Sequence, residues 1–286
     1  MKLGRKYNHE HAMVWWEVLL ILLVVAALAV LGAVGLKKGK QHSRDSACMA
    51  NLKLIGNAMA VYTMNSASRL PYAYVRYQNQ DNHSWDAFMG GNLRTVWLSE
   101  NGGDSTSTNQ VYAPLLRCPQ DTVAPAAWAQ KFRGQRRSYS MPRHDMRADN
   151  WPPAAANNTG IGLWLDFGGK GEKKQDPKIY NYERTNEQAA VTMSMILNSS
   201  ATMLATEQIS ENNILGISSG AFITRTVDQL GTNSMPAEQH HQGQFNYLMI
   251  DGHAELLTPE QTVGPKGRAG TLIGGHRGIW TIRADD

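Results

Sequence analysis

Cysteine is nearly absent. Cys48 and Cys118 are the only two in 286 residues, too few for a metal–thiolate cluster or a disulfide-rich scaffold. A strong charge of one sign is also lacking: 28 lysines and arginines stand against 24 acidic residues, a net +4 spread along the chain, so nucleic acid is not expected as the main partner. Only 18% of residues are charged, and 26 glycines and 11 prolines are ordinary numbers, which excludes disordered and collagen-like chains. A mean hydropathy of −0.40 excludes a polytopic membrane protein. Gly-x-Ser-x-Gly, the phosphate loop and His-Glu-x-x-His are all missing, so no catalytic residue, enzyme activity or cofactor is expected.

One long apolar run is present. Val14 to Leu36 carries a single charge, Glu17, and at about 1.5 Å per residue such a helix reaches roughly 34 Å, enough to cross a bilayer. The run exceeds the apolar core of a secretory signal peptide, so a retained helix is expected. Lys2, Arg5 and Lys6 precede it, and Lys37, Lys38 and Lys40 follow it, so positive charges do not set its orientation. Glu17 has two readings. It sits at the membrane interface between Trp16 and the apolar run, or it pairs with a new amine of a neighbouring copy after a cut before Met13.

No proline interrupts the chain from Val14 to Pro71. Cys48, Leu52, Ile55, Met59 and Tyr62 recur at spacings of four and three, which predicts one apolar helix stripe with Asn51, Lys53 and Asn57 off it. Asn65-Ser66-Ala67-Ser68 before Pro71 marks the helix end near Ser66.

A basic leader before a helix bearing Glu17 is followed by ACMANLKLIGNAMAVYTMNSASRLP at 47–71, HSWDAFMGG at 83–91, LLRCPQD at 115–121, RRSYSMP at 136–142, ATMLATE at 201–207 and HHQGQFNYLMIDGHAELL at 240–257. In their order and span these pieces resemble the type IV pilin and pseudopilin family, in the branch related to the type II secretion G protein that carries a large exported head. The last piece holds that branch's carboxy-terminal signature, His241, nine residues, then Asp251-Gly252. The resemblance implies cleavage by a prepilin peptidase at Ala12–Met13, methylation of the new amine, assembly with like subunits through Glu17 and its helix, and a place in an inner membrane with the head exported. Ala12 and Met13 stand where relatives usually carry Gly and Phe, and Val14-Trp15-Trp16 replaces their Thr-Leu-Ile.

The fold expected is α+β: a long N-terminal helix, transmembrane then amphipathic, packed on an antiparallel β-sheet head with extended loops. The divisions are a leader at 1–12, the helix at 13–66 and the head at 67–286. ATMLATE and FNYLMI read as strands, and Asp251-Gly252 as a two-residue hairpin turn that pairs Ile250 with His253 and Tyr247 with Leu256. Phe245, Tyr247, Met249, Ala254 and Leu256 then form the core face, and the opposite face is at most partly covered. His240, His241, Asp251 and His253 are a possible metal set. The hairpin puts its two ends roughly 30 Å apart unless the chain folds back near Gly243, so hydrogen bonding in turns is favoured and no metal is assigned. Glu207 is read as the partner of a neighbouring backbone or basic group.

Two readings of Cys48 and Cys118 stand, a bridge on an exported chain or two buried thiols. A bridge would close a 70-residue loop worth about 4 kcal/mol in the chain-entropy account. The basic stretch Lys131, Arg133, Arg136, Arg137, Arg143 and Arg147 either contacts an anionic polymer or partner, or is solvated with a few structural pairs. Trp85, Trp97, Trp128, Trp151 and Trp164 either line a carbohydrate surface or fill core. A structural, polymerising subunit is thus the first expectation. A non-polymerising, single-pass binder of carbohydrate or polymer is the second, and a metal-dependent exported enzyme the last.

Overall fold

A computed structural model describes residues 15–76, 82–101, 112–131, 134–144, 160–166, 191–217, 220–223, 226–230, 240–263 and 278–282. The chain divides into two compact units, one up to Ser43 and one from Arg44 onward. Helix α1 runs from Trp15 to Asn65. Its first part, Trp15–Ala33, is long and apolar enough to span a membrane, and its large apolar side chains are exposed. Glu17 lies in the first turn, after the exposed Trp15 and Trp16. Ala12 and Met13 lie outside the described residues.

In the second unit the predicted stripe is the face that α1 buries. Cys48, Leu52, Ile55 and Met59 are all within 1% of full burial, joined by Ala58, and Tyr62 is half-buried. Of the residues expected off the stripe, Lys53 and Asn57 are exposed, whereas Asn51 is half-buried and its Nδ2 donates to Arg117 O at 3.1 Å. Gly56 belongs to this face. A Cβ there would stand 3.2 Å from both methyl carbons of Leu248, so the missing side chain sets how closely the helix approaches the sheet. The helix stops where expected. Ser68 N–H bonds back to Thr63 O at 3.0 Å, with Ala67 and Ser68 in the left-handed region at φ 53° and 62°.

The strands are β1 (Tyr74–Arg76), β2 (Asn82–Ser84), β3 (Tyr139–His144), β4 (Gly162–Asp166), β5 (Met203–Glu207), β6 (Phe222–Ile223), β7 (Phe245–Met249) and β8 (Ala254–Leu257). Short helices α2 (Trp85–Phe88), α3 (Gly90–Asn101) and α4 (Ala127–Gln130) lie between them in sequence. The sheet runs β2-β1-β4-β3-β5-β7-β8, with β6 paired to β3. The class is α+β as expected, but the sheet is mixed rather than antiparallel. β1 and β3 both pair parallel to β4, and β6 pairs parallel to β3, whereas β5, β7 and β8 form an antiparallel run.

The last hairpin differs from the expected one by a single residue. β7 pairs Leu248 with Ala254 and Tyr247 with Glu255, leaving the loop Ile250-Asp251-Gly252. Gly252 N–H bonds to Met249 O at 3.0 Å and Gly252 takes φ 92°, the pattern of a tight turn closed by a left-handed glycine. Because side chains alternate along a strand, this slip changes the partners on both faces. Both faces of β7 are covered. Leu248 joins the α1 core, and Phe245, Tyr247 and Met249 join a second core with Met203, Ile209, Ile223 and Trp280.

Candidate functional site

Between β6 and β7 the chain makes a tight left-handed turn. His241, Gln242 and Gly243 follow one another in the left-handed region, at φ 45°, 60° and 85°. For the two non-glycine residues such a conformation costs on the order of 1–3 kcal/mol each, so the surroundings must hold it. Gly243 N–H bonds to His240 O at 3.0 Å and His241 N–H to Gln120 Oε1 at 3.1 Å. The chain turns back near Gly243, but without bringing the histidine pair to Asp251 at the hairpin tip. The turn places both imidazoles, buried, against the end of β5.

Glu207, the last residue of β5, is fully buried there. Its Oε2 accepts Asn246 N–H at 2.8 Å and faces His240 Nε2 at 3.2 Å; its Oε1 accepts Asn246 Nδ2 at 3.1 Å and faces His241 Nε2 at 3.1 Å. On its other side, His241 Nδ1 meets Asp45 Oδ1 of α1 at 2.5 Å, and Gln120 Nε2 donates to the same carboxylate oxygen. His241 Nε2 also lies 3.6 Å from Cys118 Sγ, and Cys118 is bridged to Cys48. The bridge reading of the cysteines is therefore the observed one. It binds α1 to the segment after Leu116 at the point where the carboxylate–histidine cluster binds α1 to β5 and β7.

The neighbouring charges shift Glu207 and His241 in opposite directions. Burial alone would raise the Glu207 carboxyl, but the His240 charge and the hydrogen bonds of both histidines overcome it and hold the group well below the carboxylate range. Burial likewise lowers His241, yet Glu207 first and Asp45 second outweigh it and raise the imidazole above its usual 6.5. The signs give a stability window. Glu207, depressed on folding, contributes above the unfolded value of about 4.5 and loses that contribution as pH falls. His241, raised on folding, contributes fully below about 6.5 and loses it as pH climbs through the folded value. With the bridge closed, the melting temperature of the full chain in detergent is expected to peak between pH 4.5 and 6.5. Each group changes stability by up to about 1.4 kcal/mol per pH unit within its window. His241→Gln should flatten the alkaline limb, and a wild-type profile level from pH 5 to 9 contradicts this assignment.

The tempting ligand set is split in two. His240 and His241 join Glu207, whereas Asp251 stays at the hairpin tip, where its Oδ1 accepts His253 N–H at 3.1 Å and faces His253 Nδ1 at 2.5 Å. His253 Nε2 also faces Glu255 at 3.3 Å, in an exposed position. His241 and Asp251-Gly252 thus do different work, the first inside the core and the second in a turn. Glu207, expected to meet a backbone or a basic group, meets the Asn246 N–H and both histidines. Asp45, Gln120 and Asn246 had no sequence signal beyond their polarity.

Where it is described the basic stretch is mixed: Arg136 and Arg137 are buried, Arg143 is half-buried beside the Phe222 ring, and Lys131 is exposed. Arg136 donates to Asp121 Oδ2 at 2.6 Å, and Arg137 pairs with Asp86, all four side chains being buried. Trp85 is core beneath Arg137, whose guanidinium carbon stands 5.3 Å from the ring centre. Trp128 is exposed and donates to Asn212 Oδ1 at 2.8 Å. Arg133, Arg147 and Trp151, and the side chains of Trp97 and Trp164, lie outside the described residues. No known family, curated protein or solved structure matches this chain.

Proposed function

We propose that this chain is a structural subunit, pilin-like or pseudopilin-like, that sits in a membrane by its first helix and assembles with copies of itself through that helix. The carrying observation is α1. It is one uninterrupted helix of 51 residues, exposed and apolar over Trp15–Ala33 and buried on one face after Arg44. An exposed apolar surface of that length requires either lipid or like helices to cover it. Glu17, a single carboxylate near its start, supplies an electrostatic reason for register: an N-terminal amine of a neighbouring copy, freed by a prepilin peptidase cut between Ala12 and Met13, neutralises it. The Cys48–Cys118 bridge fits a head exported to an oxidising compartment beyond an inner membrane. The burial of Arg136 and Arg137 removes two of the six cations that motivated a polymer-binding head.

Mass spectrometry of protein extracted from its native membrane should find a mature chain starting at Met13. Glu17→Ala should abolish cross-linked oligomers while leaving the melting temperature of the head unchanged. A chain retaining Met1, a soluble form cut near Leu36, or undiminished oligomers in Glu17→Ala each contradicts the proposal.

A further inference from the structure

The sulfur atoms of Cys48 and Cys118, a nitrogen of His241 and a carboxylate oxygen of Glu207 all lie within 4.8 Å of one another, and all four residues are buried. Two thiolates, an imidazole and a carboxylate are the donor types of four-coordinate zinc sites, whose ligand atoms stand about 3.3–3.8 Å apart. His241 Nε2 is already 3.6 Å from Cys118 Sγ and 3.1 Å from Glu207 Oε1. The outer contacts are those a metal site uses. The Asp45 carboxylate at His241 Nδ1 directs Nε2 inward, and the backbone N–H of Asn246 together with His240 Nε2 holds the far oxygen of Glu207.

We propose that, when the Cys48–Cys118 bridge is opened, these four residues bind one zinc-type divalent cation, so that bridge and ion are exclusive occupants of one site. Opening the bridge takes two electrons and two protons and yields two thiols. A phosphine reductant supplies the electrons, taking an oxygen atom from water to become its oxide. Binding then involves no redox change: the cation displaces to solvent the two thiol protons and the Nε2 proton that His241 carries when charged, and gains two thiolates, Nε2 and a carboxylate oxygen. Three anionic ligands leave the occupied site one charge negative. His240 Nε2 and the Asn246 amide, both turned toward Glu207, face that charge. The inference stands apart from assembly and holds for a monomer equally.

The test uses the full chain in detergent, reduced without oxygen by a phosphine and titrated with Co²⁺. The reduced protein should take up one equivalent with a thiolate-to-cobalt absorption band, displaced by one equivalent of Zn²⁺, while the oxidised protein gives no band. Asp45→Asn, which leaves all four ligands in place and changes the contacts at His241 Nδ1 and Gln120 Nε2, should weaken Co²⁺ binding about 10–100-fold. Reduced protein of native circular dichroism that gives no thiolate band overturns the proposal. So does a head that unfolds on reduction and is not restored by Co²⁺, or undiminished affinity in His241→Gln.

Discussion

Glu207→Ala lowers the melting temperature of the head by roughly 6–20 °C. The carboxylate is fully buried and has His240, His241 and two nitrogens of Asn246 around it. Alanine removes the only partner that His240 Nε2 has among the described residues and leaves the Asn246 N–H and a raised imidazole facing a void. Removing one partner of a buried ion pair typically costs about 3–5 kcal/mol, because the other charge remains desolvated. For a unit of this size each kcal/mol moves the melting temperature by about 2–4 °C. Glu207→Gln keeps an acceptor oxygen and should recover part of the loss. Glu255→Gln, at the exposed His253 pair, should stay within about 0.5 kcal/mol of wild type. Circular dichroism melts of the three variants at pH 6 make the comparison. A Glu207→Ala protein melting within 2 °C of wild type would falsify the assigned role.

What could be read in the sequence was what repeats locally. The stripe from Cys48 to Met59 follows helix period, and its burial follows from that period alone. The strands ATMLATE and FNYLMI and the stop after Asn65 are likewise local. The hairpin shows where such reading ends. Asp251-Gly252 marks a turn in either register, and only the left-handed φ of Gly252 at the end of a longer loop decides that Leu248 and not Met249 faces Ala254. Parallel pairing of β1, β3 and β4 carries no local mark either, because those strands have three to six residues and their neighbours come from distant parts of the chain.

The cluster was half legible. Two cysteines and two adjacent histidines draw notice by their chemistry, and Gly243 marked the place where the chain had to turn back. Asp45 lies 196 residues from His241, and no spacing rule connects them. The turn itself relies on a histidine and a glutamine in left-handed geometry, a conformation that sequence assigns to glycine or asparagine first. Its cost is offset by contacts from four other segments, which is information only the folded chain contains.

The second large effect concerns Arg137 and Asp86. Their charged groups are in contact, Ser84 Oγ donates to Asp86 Oδ1 at 2.5 Å, Gly216 N–H to Asp86 Oδ2 at 2.7 Å, and Arg137 Nε to Asn213 Oδ1 at 2.9 Å. Burial lowers the Arg137 guanidinium from its usual value, and Asp86 restores only part of that. Each buried charge depends on the other, because taking either one out of water is costly unless its partner faces it. Arg137→Met leaves a buried anion and should cost about 3–5 kcal/mol; Asp86→Asn leaves a buried cation and should cost a similar amount. The double variant buries neither charge, and its asparagine still offers an oxygen to Gly216 N–H or Ser84. It should melt no lower than the worse single variant, with a coupling of about 0.5–3 kcal/mol in the cycle. Additivity of the two losses to within about 0.5 kcal/mol would show that the two charges act independently.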